Sequence, residues 1–242
     1  MTMPSLTEDP FFNGKLHIQQ DPAGYRFSID AILLASHARP RAKERVLDLG
    51  TGCGIIPLIL AYRHPNITAF GIEIQKALAS MARANVKNNK LQNQITVLCQ
   101  DMRDLKPDII GGPVDLVVCN PPYHKPNSGR LNPDRQRAIA RHELKINLAE
   151  MLQTAKRMLR TAGRFVTIYA AERLTDLIVQ MRAHGLEPKS MRTIHGQAAA
   201  EARLILVSGA KGAQAGIRLD SPLIIYDSKG GYSQEIQEMF EP

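Results

Sequence analysis

The chain has 242 residues, of which 44% are hydrophobic and 22% charged, which is ordinary for a globular protein and unlike a collagen or a disordered chain. Its longest apolar runs fall well short of the roughly 18 residues of a membrane span, Met1 to Phe12 lack the pattern of a secretory signal, and three scattered cysteines lack metal or redox spacing. The net charge of +8 favours a polyanionic partner, and we expect a cytoplasmic protein.

The first forty residues are expected to be an N-terminal extension packed on the core of one domain that spans residues 1–242. Its apolar residues are expected to form a short hairpin or an arm; they are Phe11, Phe12, Leu16 and Ile18. Ser28 is placed to cap a helix that begins at Ile29 and ends before Pro40. Asp30 falls in the positive first turn of that helix.

From residue 45 onward, strand-like runs alternate with helical patterns. The expected strands are 45–49, 67–74, 95–98, 114–119, 164–169, 189–194 and 203–207, with a short edge strand at 222–226. The expected helices are 55–62, 75–89, 148–159 and 172–184. This alternation predicts an α/β fold with a doubly wound, mostly parallel sheet.

Four polar residues fall at the ends of successive predicted strands, namely Asp48, Glu73, Asp101 and Asn120. Ligands of doubly wound sheets bind at the carboxyl ends of the strands, so these residues are expected to line one site. Glu73 is placed to accept hydrogen bonds from ribose hydroxyls. The alternatives are that Glu73 caps a helix and that Asp101 is a turn residue.

The turn after the first of these strands is rich in glycine, which lets a ligand approach the backbone. Glycines occur at 50, 52 and 54, whereas a dinucleotide fingerprint requires a third glycine at the position of Ile55. The sequence also lacks the Gly-Lys-Ser/Thr of a phosphate-binding P-loop. Nicotinamide dinucleotide binding is therefore disfavoured, and a P-loop is excluded.

The apolar run Val114 to Cys119 ends abruptly at Asn120-Pro121-Pro122-Tyr123. Prolines fix φ and lack an N–H, so the loop is stiff and rich in carbonyl acceptors. Such a loop suits a planar group that carries an NH2, with its ring stacked on the aromatic side chain. The alternative is a strand that ends in a proline turn, with Tyr123 as an anchor in the core.

The loop is followed by a basic segment in which only Asp134 and Glu143 are acidic. Such a segment is a phosphate-contacting surface or simply a solvated face. The residues expected to bind nucleic acid are Lys125, Arg130, Arg135, Arg137 and Arg141.

These motifs together resemble those of the class I S-adenosylmethionine-dependent methyltransferases. Asp48-x-Gly50-x-Gly52-x-Gly54 looks like their first cofactor motif, Glu73 like their ribose carboxylate and Asp101 like their residue near the adenine N6. Asn-Pro-Pro-Tyr resembles the motif of members that methylate planar nitrogens. Over most of the chain the likeness is to the family of tRNA adenine-N6 methyltransferases that act on valine tRNA at position 37.

The resemblance implies a Rossmann-like, seven-stranded sheet, S-adenosylmethionine as cofactor, a tRNA substrate and no metal. It implies catalytic roles for Asn120, Pro121, Pro122 and Tyr123. The expected cofactor-binding residues are Arg26, Asp30, Asp48, Gly50, Thr51, Gly52, Gly54, Glu73, Ile74, Asp101, Met102 and Asn120.

Three other readings stay open from the sequence. A protein N5-glutamine methyltransferase of the release-factor type shares the Asn-Pro-Pro-Tyr motif, although such enzymes usually carry a separate helical domain before the motif that Asp48 opens here. Ribosomal RNA or DNA is an alternative amino-group substrate. A non-catalytic RNA-binding module with the same fold is disfavoured, because a degenerate site need not retain both the glycine loop and Asn-Pro-Pro-Tyr.

Overall fold

The computed structural model describes residues 7–20, 28–121 and 148–241. Its strands are β1 Thr7–Phe11, β2 Leu16–Gln20, β3 Arg45–Leu49, β4 Thr68–Glu73, β5 Ile95–Cys99, β6 Val114–Cys119, β7 Leu159–Ala170, β8 Leu186–His195, β9 Ala202–Lys211, β10 Arg218–Leu219 and β11 Leu223–Ile224. Its α-helices are α1 Ile29–Ala38, α2 Ile55–Arg63, α3 Lys76–Asn88, α4 Leu148–Met158, α5 Leu174–Ala183 and α6 Gln234–Phe240.

The main sheet has the order β10–β8–β9–β7–β6–β3–β4–β5, and β11 pairs beside β8. Strands β3 to β7 pair in parallel, and β9 runs antiparallel to both of its neighbours. The chain leaves β3 in one direction through β4 and β5 and returns to its other side with β6. The predicted doubly wound, mostly parallel sheet is therefore confirmed, with its switch point between β3 and β6.

Three features differ from the sequence-based expectation. The seven expected strands are joined at the β8 edge by β10, a strand of two residues that was not expected, whereas the edge strand expected at 222–226 is present as the two-residue strand β11. The strand expected from Arg164 begins at Leu159, because Leu159 pairs with Val114 before a register shift. Helix α6 was not expected at all; it begins after Ser233, whose hydroxyl accepts a hydrogen bond from Ile236 N–H at 3.4 Å.

The core consists of two hydrophobic clusters, one on each face of the sheet. Because successive side chains of a strand point to opposite faces, Val46 enters one cluster and Leu47 the other. Helices α1, α2 and α3 cover the first face, and α4 and α5 cover the second. Both faces of the central strands are thereby buried, as their continuous apolar runs predict.

Strands β1 and β2 form a separate two-stranded antiparallel sheet, which we call the N-terminal hairpin, residues 7–20. Phe12, Leu16 and Ile18 are buried in the first core cluster, so the expected hairpin is confirmed. Helix α1 begins after Ser28 as expected, but the Ser28 side chain makes no capping hydrogen bond. No helix in the described ranges is both long and apolar enough to cross a membrane.

One face of α3 differs from the face that its sequence pattern predicts to be buried. Helical spacing predicts one buried stripe formed by Ala77, Leu78, Met81, Ala82 and Val86. In the structure Ala77 is exposed, and Ala79 is buried in its place. Ala82 and Val86 are buried as expected. The face of α3 that meets the core is therefore rotated slightly from the one that the sequence indicated.

Candidate active site

The ends of four adjacent parallel strands meet at the carboxyl edge of the sheet, in the order β6, β3, β4 and β5. Asn120 directly follows β6, the glycine loop follows β3, and Glu73 is the last residue of β4. Asp101 follows β5 by two positions. The sheet thus places the four predicted motifs along one edge, as expected for a ligand site at a switch point.

The glycine loop, residues 50–54, turns back over the end of β4. The main-chain N–H groups of Gly50 and Thr51 both donate to the Ile72 carbonyl at 2.9 Å. Gly50, Gly52 and Gly54 have φ of +77°, +56° and +87°, values that residues with a Cβ rarely adopt. A Cβ on Gly54 would also lie 3.2 Å from the Ala82 Cβ, so this loop lies directly against α3.

The Glu73 carboxylate, at the end of β4, accepts main-chain hydrogen bonds from the glycine loop and from the residue before α3. Its Oε2 accepts a hydrogen bond from Gly52 N–H at 2.9 Å, and its Oε1 accepts one from Gln75 N–H at 2.9 Å. The residue is only 6% exposed. Each carboxylate oxygen has two lone pairs, so acceptor capacity remains for the hydroxyls of a ligand.

Asp48 is a buried carboxyl group beside the same loop, with 1% of its surface exposed. Among the described residues, neither of its oxygens has a hydrogen-bond partner within normal distance, and the Thr51 hydroxyl is also unpaired. Burial raises the pKa of Asp48 to about 7, with a smaller opposing effect of the nearby Thr51 hydroxyl and a small further increase from Glu73. A buried acceptor of this kind is a costly feature in an otherwise well-packed core and marks a position for a polar or cationic ligand.

Asp101 and Met102 form a turn at the end of β5. Asp101 accepts a hydrogen bond from Arg103 N–H at 2.9 Å and pairs with the Arg103 guanidinium at 2.5 Å, so it is a turn residue as well as a candidate ligand contact. Met102 is buried, and its carbonyl accepts hydrogen bonds from Thr154 and Arg157 of α4 at 3.2 and 3.0 Å. Helix α4, which follows the basic segment, is thus bonded to this turn.

The end of β6 is fixed on both sides immediately before Asn120. The Cys119 carbonyl accepts a hydrogen bond from the Thr167 hydroxyl of β7 at 2.8 Å, and the Cys119 thiol lies 3.1 Å from the Leu49 carbonyl of β3. Burial raises the pKa of Cys119 well above its usual range, so this thiol is neutral. Asn120 and Pro121 are each partly buried at the sheet edge.

Several of the predicted site residues lie outside the described residues. They are Arg26, Pro122, Tyr123, Lys125, Arg130, Arg135, Arg137 and Arg141. Asp30 is described and lies in the first turn of α1, and Ile74 follows Glu73 at the sheet edge. The structure therefore brings together the predicted residues from Asp48 to Pro121.

Three residues of this region were missed by the sequence analysis: Asn85, Thr167 and Arg157. Thr167 and Arg157 carry no distinguishing pattern, since threonine is common in strands and arginine in helices. Asn85 does carry a signal, because it falls on the buried stripe of α3 beside Val86. A polar residue on an apolar face indicates a buried hydrogen-bond network.

A separate groove between α1, α2 and α6 is not part of this site. Ser36, Arg63 and Met239 are among the residues that line it, and none of the motif residues does. Helix α1 leads into β3 and helix α2 leads into β4, so the last residues of both helices lie at the amino edge of the parallel strands. Within the described ranges, no three histidine, cysteine or acidic side chains are grouped as metal ligands would be.

Comparison with known proteins agrees with this geometry. A family model described as the methyltransferase small domain matches residues 26–181. A Porphyromonas gingivalis (strain W83) protein named tRNA1(Val) (adenine(37)-N6)-methyltransferase is 32% identical over 98% of this chain and 95% of its own. A Tolumonas auensis protein of the same name is 30% identical over 71% and 70% of the two chains.

Solved structures share the fold at lower identity. A predicted O-methyltransferase from Agrobacterium tumefaciens superposes with a TM-score of 0.68 at 22% identity, over 87% of this chain and 94% of the other. The geranyl diphosphate C-methyltransferase of Streptomyces coelicolor, solved with S-adenosyl-L-homocysteine, gives a TM-score of 0.54 at 12% identity, over 75% and 74% of the two chains. These likenesses agree with the fold described above.

Proposed function

Because this chain belongs to the methyltransferase small domain family, we propose that it transfers a methyl group from S-adenosylmethionine to the exocyclic N6 of an adenine in tRNA. The relatives named tRNA1(Val) (adenine(37)-N6)-methyltransferase support this choice of substrate, and they suggest adenine 37 of tRNA1(Val) as the target. The net charge of +8 suits a polyanionic substrate. The proposal includes a cytoplasmic protein and one methyltransferase domain over residues 1–242.

The described residues fit the proposed cofactor. The glycine loop leaves its backbone open to close approach, and the spare lone pairs of Glu73 suit two ribose hydroxyls. The carboxyl of Asp48, which has no hydrogen-bond partner within the described ranges, suits the positive charge of the cofactor's methionine moiety. Asp101 and Met102 suit the adenine end, on the strand beyond Glu73.

The observation that carries the proposal is the position of Asn120 and Pro121. They directly follow β6, and β6 is the neighbour of the strand that carries the glycine loop. Leu49 pairs with Cys119, so the glycine loop and Asn120 begin at the same level of the sheet. A methyl donor on the loop and an amino group held at Asn120 would therefore be neighbours, which supplies the proximity that a group transfer needs.

Asn120 and Pro121 would act through their carbonyl oxygens. An aromatic NH2 is a poor nucleophile because its lone pair is delocalised into the ring. Hydrogen bonds from its two protons to the Asn120 side-chain carbonyl and the Pro121 main-chain carbonyl favour a pyramidal nitrogen and stabilise the positive charge that develops on it. When bound, S-adenosylmethionine supplies a methyl group carried on a positively charged sulfur. After transfer of the methyl group, the sulfur is part of a neutral thioether.

The remaining roles concern the base and its proton. Tyr123 would stack on the adenine, a contact worth about 1–3 kcal/mol for a nucleobase on an aromatic side chain. The nitrogen becomes acidic once it is alkylated, so its proton passes to water and no general base is assigned. A stacked base must be extruded first, which is easiest in a loop of the RNA.

The proposal is tested by methyl transfer from radiolabelled S-adenosylmethionine to an unmodified tRNA1(Val) transcript. A transcript with guanine in place of adenine 37 is the matched control, and a release-factor protein is assayed in parallel. We expect label in the first transcript alone, released as N6-methyladenosine on digestion. Label in the release factor alone, or in neither substrate while ribosomal RNA is labelled, would overturn the tRNA assignment.

A further inference from the structure

The N-terminal hairpin is attached to α3 by two asparagine side chains that take the place of a neighbouring strand. Asn89 Oδ1 accepts a hydrogen bond from His17 N–H at 2.9 Å, and Asn89 Nδ2 donates to the His17 carbonyl at 2.7 Å. Asn85 pairs with Gln19 in the same way, at 2.8 and 3.0 Å. The outer edge of β2 is thereby closed by side chains.

The spacing of the two asparagines explains why this pairing works. Residues four apart on a helix are separated by about 6 Å along its axis, and residues two apart on a strand by about 6.6 Å. Asn85 and Asn89 therefore match Gln19 and His17 one for one. Residues two apart on a strand present N–H and C=O to the same edge, so each amide meets a donor and an acceptor.

Asn85 makes one bond that Asn89 does not. Its Nδ2 also donates to the Cys53 carbonyl at 3.0 Å, inside the glycine loop. The Asn85 side chain is fully buried, and the bond from Gln19 N–H fixes which end of the amide carries the oxygen. Both amide protons and the amide oxygen are thus in use, in a place where an unpaired group would be costly.

The glycine loop is therefore held from two directions. Glu73 accepts from Gly52 N–H on the side of the sheet, and Asn85 donates to the Cys53 carbonyl on the side of α3. Gly54 lies against Ala82, one helical turn before Asn85. The N-terminal hairpin, α3 and the glycine loop meet at the buried side-chain amide of Asn85.

We propose that Asn85 is a positioning residue of the cofactor site, whose amide couples the N-terminal hairpin to the glycine loop. The hairpin then takes part in setting the affinity for the cofactor. This inference rests on the proposed function, because it assumes that the glycine loop binds S-adenosylmethionine. Cofactor binding by the wild-type protein is accordingly measured first, and its absence would contradict the proposed function itself.

The first test compares Asn85→Ala with Asn89→Ala. Alanine is a good helix former, so Asn85→Ala does not lower the helix propensity of α3. Asn89 directly follows α3, and Asn89→Ala also removes a bond from the Asn89 amide to the Asn85 carbonyl. Both changes remove a pair of bonds to the hairpin. Only Asn85→Ala removes the bond to Cys53. We expect it to raise the Kd for S-adenosylhomocysteine and the KM for S-adenosylmethionine by about three- to tenfold, and Asn89→Ala to change them by less than about twofold.

The KM for tRNA and kcat at saturating cofactor are expected to stay near the wild-type values in both variants, which separates positioning of the loop from general loss of structure. Equal cofactor affinities in Asn85→Ala and the wild type would overturn the proposal. Equal weakening of cofactor binding in both variants would also overturn the proposal, because the effect would then come from the bonds to the N-terminal hairpin and not from the bond to Cys53.

A second measurement uses the wild-type protein, so it does not depend on the folding of a variant. Coupling between two sites is reciprocal, so cofactor bound at the loop should stabilise the hairpin. We expect S-adenosylhomocysteine to slow amide hydrogen exchange of Gln19 in the wild-type protein. Unchanged exchange at Gln19, together with slowed exchange in the glycine loop, would overturn the coupling while leaving cofactor binding established.

Discussion

The main-chain N–H of Gly52 donates to the Glu73 carboxylate at 2.9 Å, which joins the loop after one strand to the end of the next. The same carboxylate accepts from Gln75 N–H at the start of α3. Glu73 therefore has a structural role, in shaping the glycine loop, and the proposed role of binding ribose hydroxyls. The two roles are linked because a ligand on the loop would meet the same two oxygens.

The first prediction separates these roles with Glu73→Gln. Glutamine keeps one acceptor oxygen but places an NH2 where the other was, so one of the two main-chain donors loses its partner. We expect the Kd for S-adenosylhomocysteine to rise by about tenfold or more, and the unfolding free energy to fall by about 1–3 kcal/mol. Calorimetric titration and denaturant unfolding measure the two effects. An unaltered Kd would exclude Glu73 from the cofactor site.

The second prediction concerns Asn120→Ala. Removing a preorganised hydrogen-bond acceptor that acts on the developing charge typically costs about 10²–10³ in kcat. We expect a loss of that size in a variant that still binds S-adenosylhomocysteine. Single-turnover methyl transfer and titration give the two values. Wild-type transfer by this variant would contradict the assignment of the Asn120 carbonyl.

The third prediction is a pH dependence that originates at Asp48. Its pKa is raised to about 7 by burial, so the folded protein favours the neutral acid. A cation bound beside Asp48 favours the carboxylate and lowers this pKa, which makes binding release a proton. We expect the affinity for S-adenosylmethionine to increase with pH up to about pH 7 and then to level off.

The matched variant Asp48→Asn lacks this titration, so its cofactor affinity is expected to be weaker and independent of pH over that range. Stability should change in the opposite direction. The unfolded state ionises Asp48 at its ordinary pKa and the folded state only near pH 7, so wild-type stability falls between those values. At pH 8, where the folded wild type carries a buried charge at this position, we expect Asp48→Asn to have the larger free energy of unfolding. A pH-independent wild-type Kd would refute the role of Asp48.

The fourth prediction tests the basic segment as a tRNA-binding surface. We expect the double change Arg135→Glu with Arg137→Glu to weaken tRNA binding and to reduce the dependence of log K on log salt by about 2. Arg41→Glu with Lys43→Glu is the control, since it alters the same charge on exposed residues before β3, at the opposite edge of the sheet. Filter binding across a salt series compares the pairs. Unchanged affinity of the first pair at low salt would reject the surface.

Much of the site follows from local sequence because it is carried by short contiguous motifs. A buried parallel strand must be apolar along its length, so a polar residue at its end is visible without a structure, as with Glu73 and Asn120. The glycines at 50, 52 and 54 can also be recognised from sequence, because a turn that needs positive φ favours a residue without a Cβ. The contact between the turn at Met102 and α4 is different, since the hydrogen bond from Arg157 to the Met102 carbonyl joins segments far apart in the chain.

The edges of the fold were less predictable. Strand β7 begins at Leu159 because Leu159 finds Val114 as a partner, and that pairing joins residues far apart in sequence. Strand β10 is two residues long and pairs along the edge that β8 offers. It has almost no intrinsic preference of its own, so no local pattern revealed it, whereas the sequence at 222–226 did indicate β11.

By itself, the sequence determined the alternation of strands and helices, the doubly wound sheet and the row of motifs from Asp48 to Asn120. These features depend on periodicity and on residues that are neighbours in the chain. Three features required the packed structure: Asp48 is buried with no hydrogen-bond partner among the described residues, Glu73 accepts from Gly52 N–H, and Asn85 joins the hairpin to the glycine loop. Each of these depends on groups brought together by the packing of separate elements, which no local pattern records.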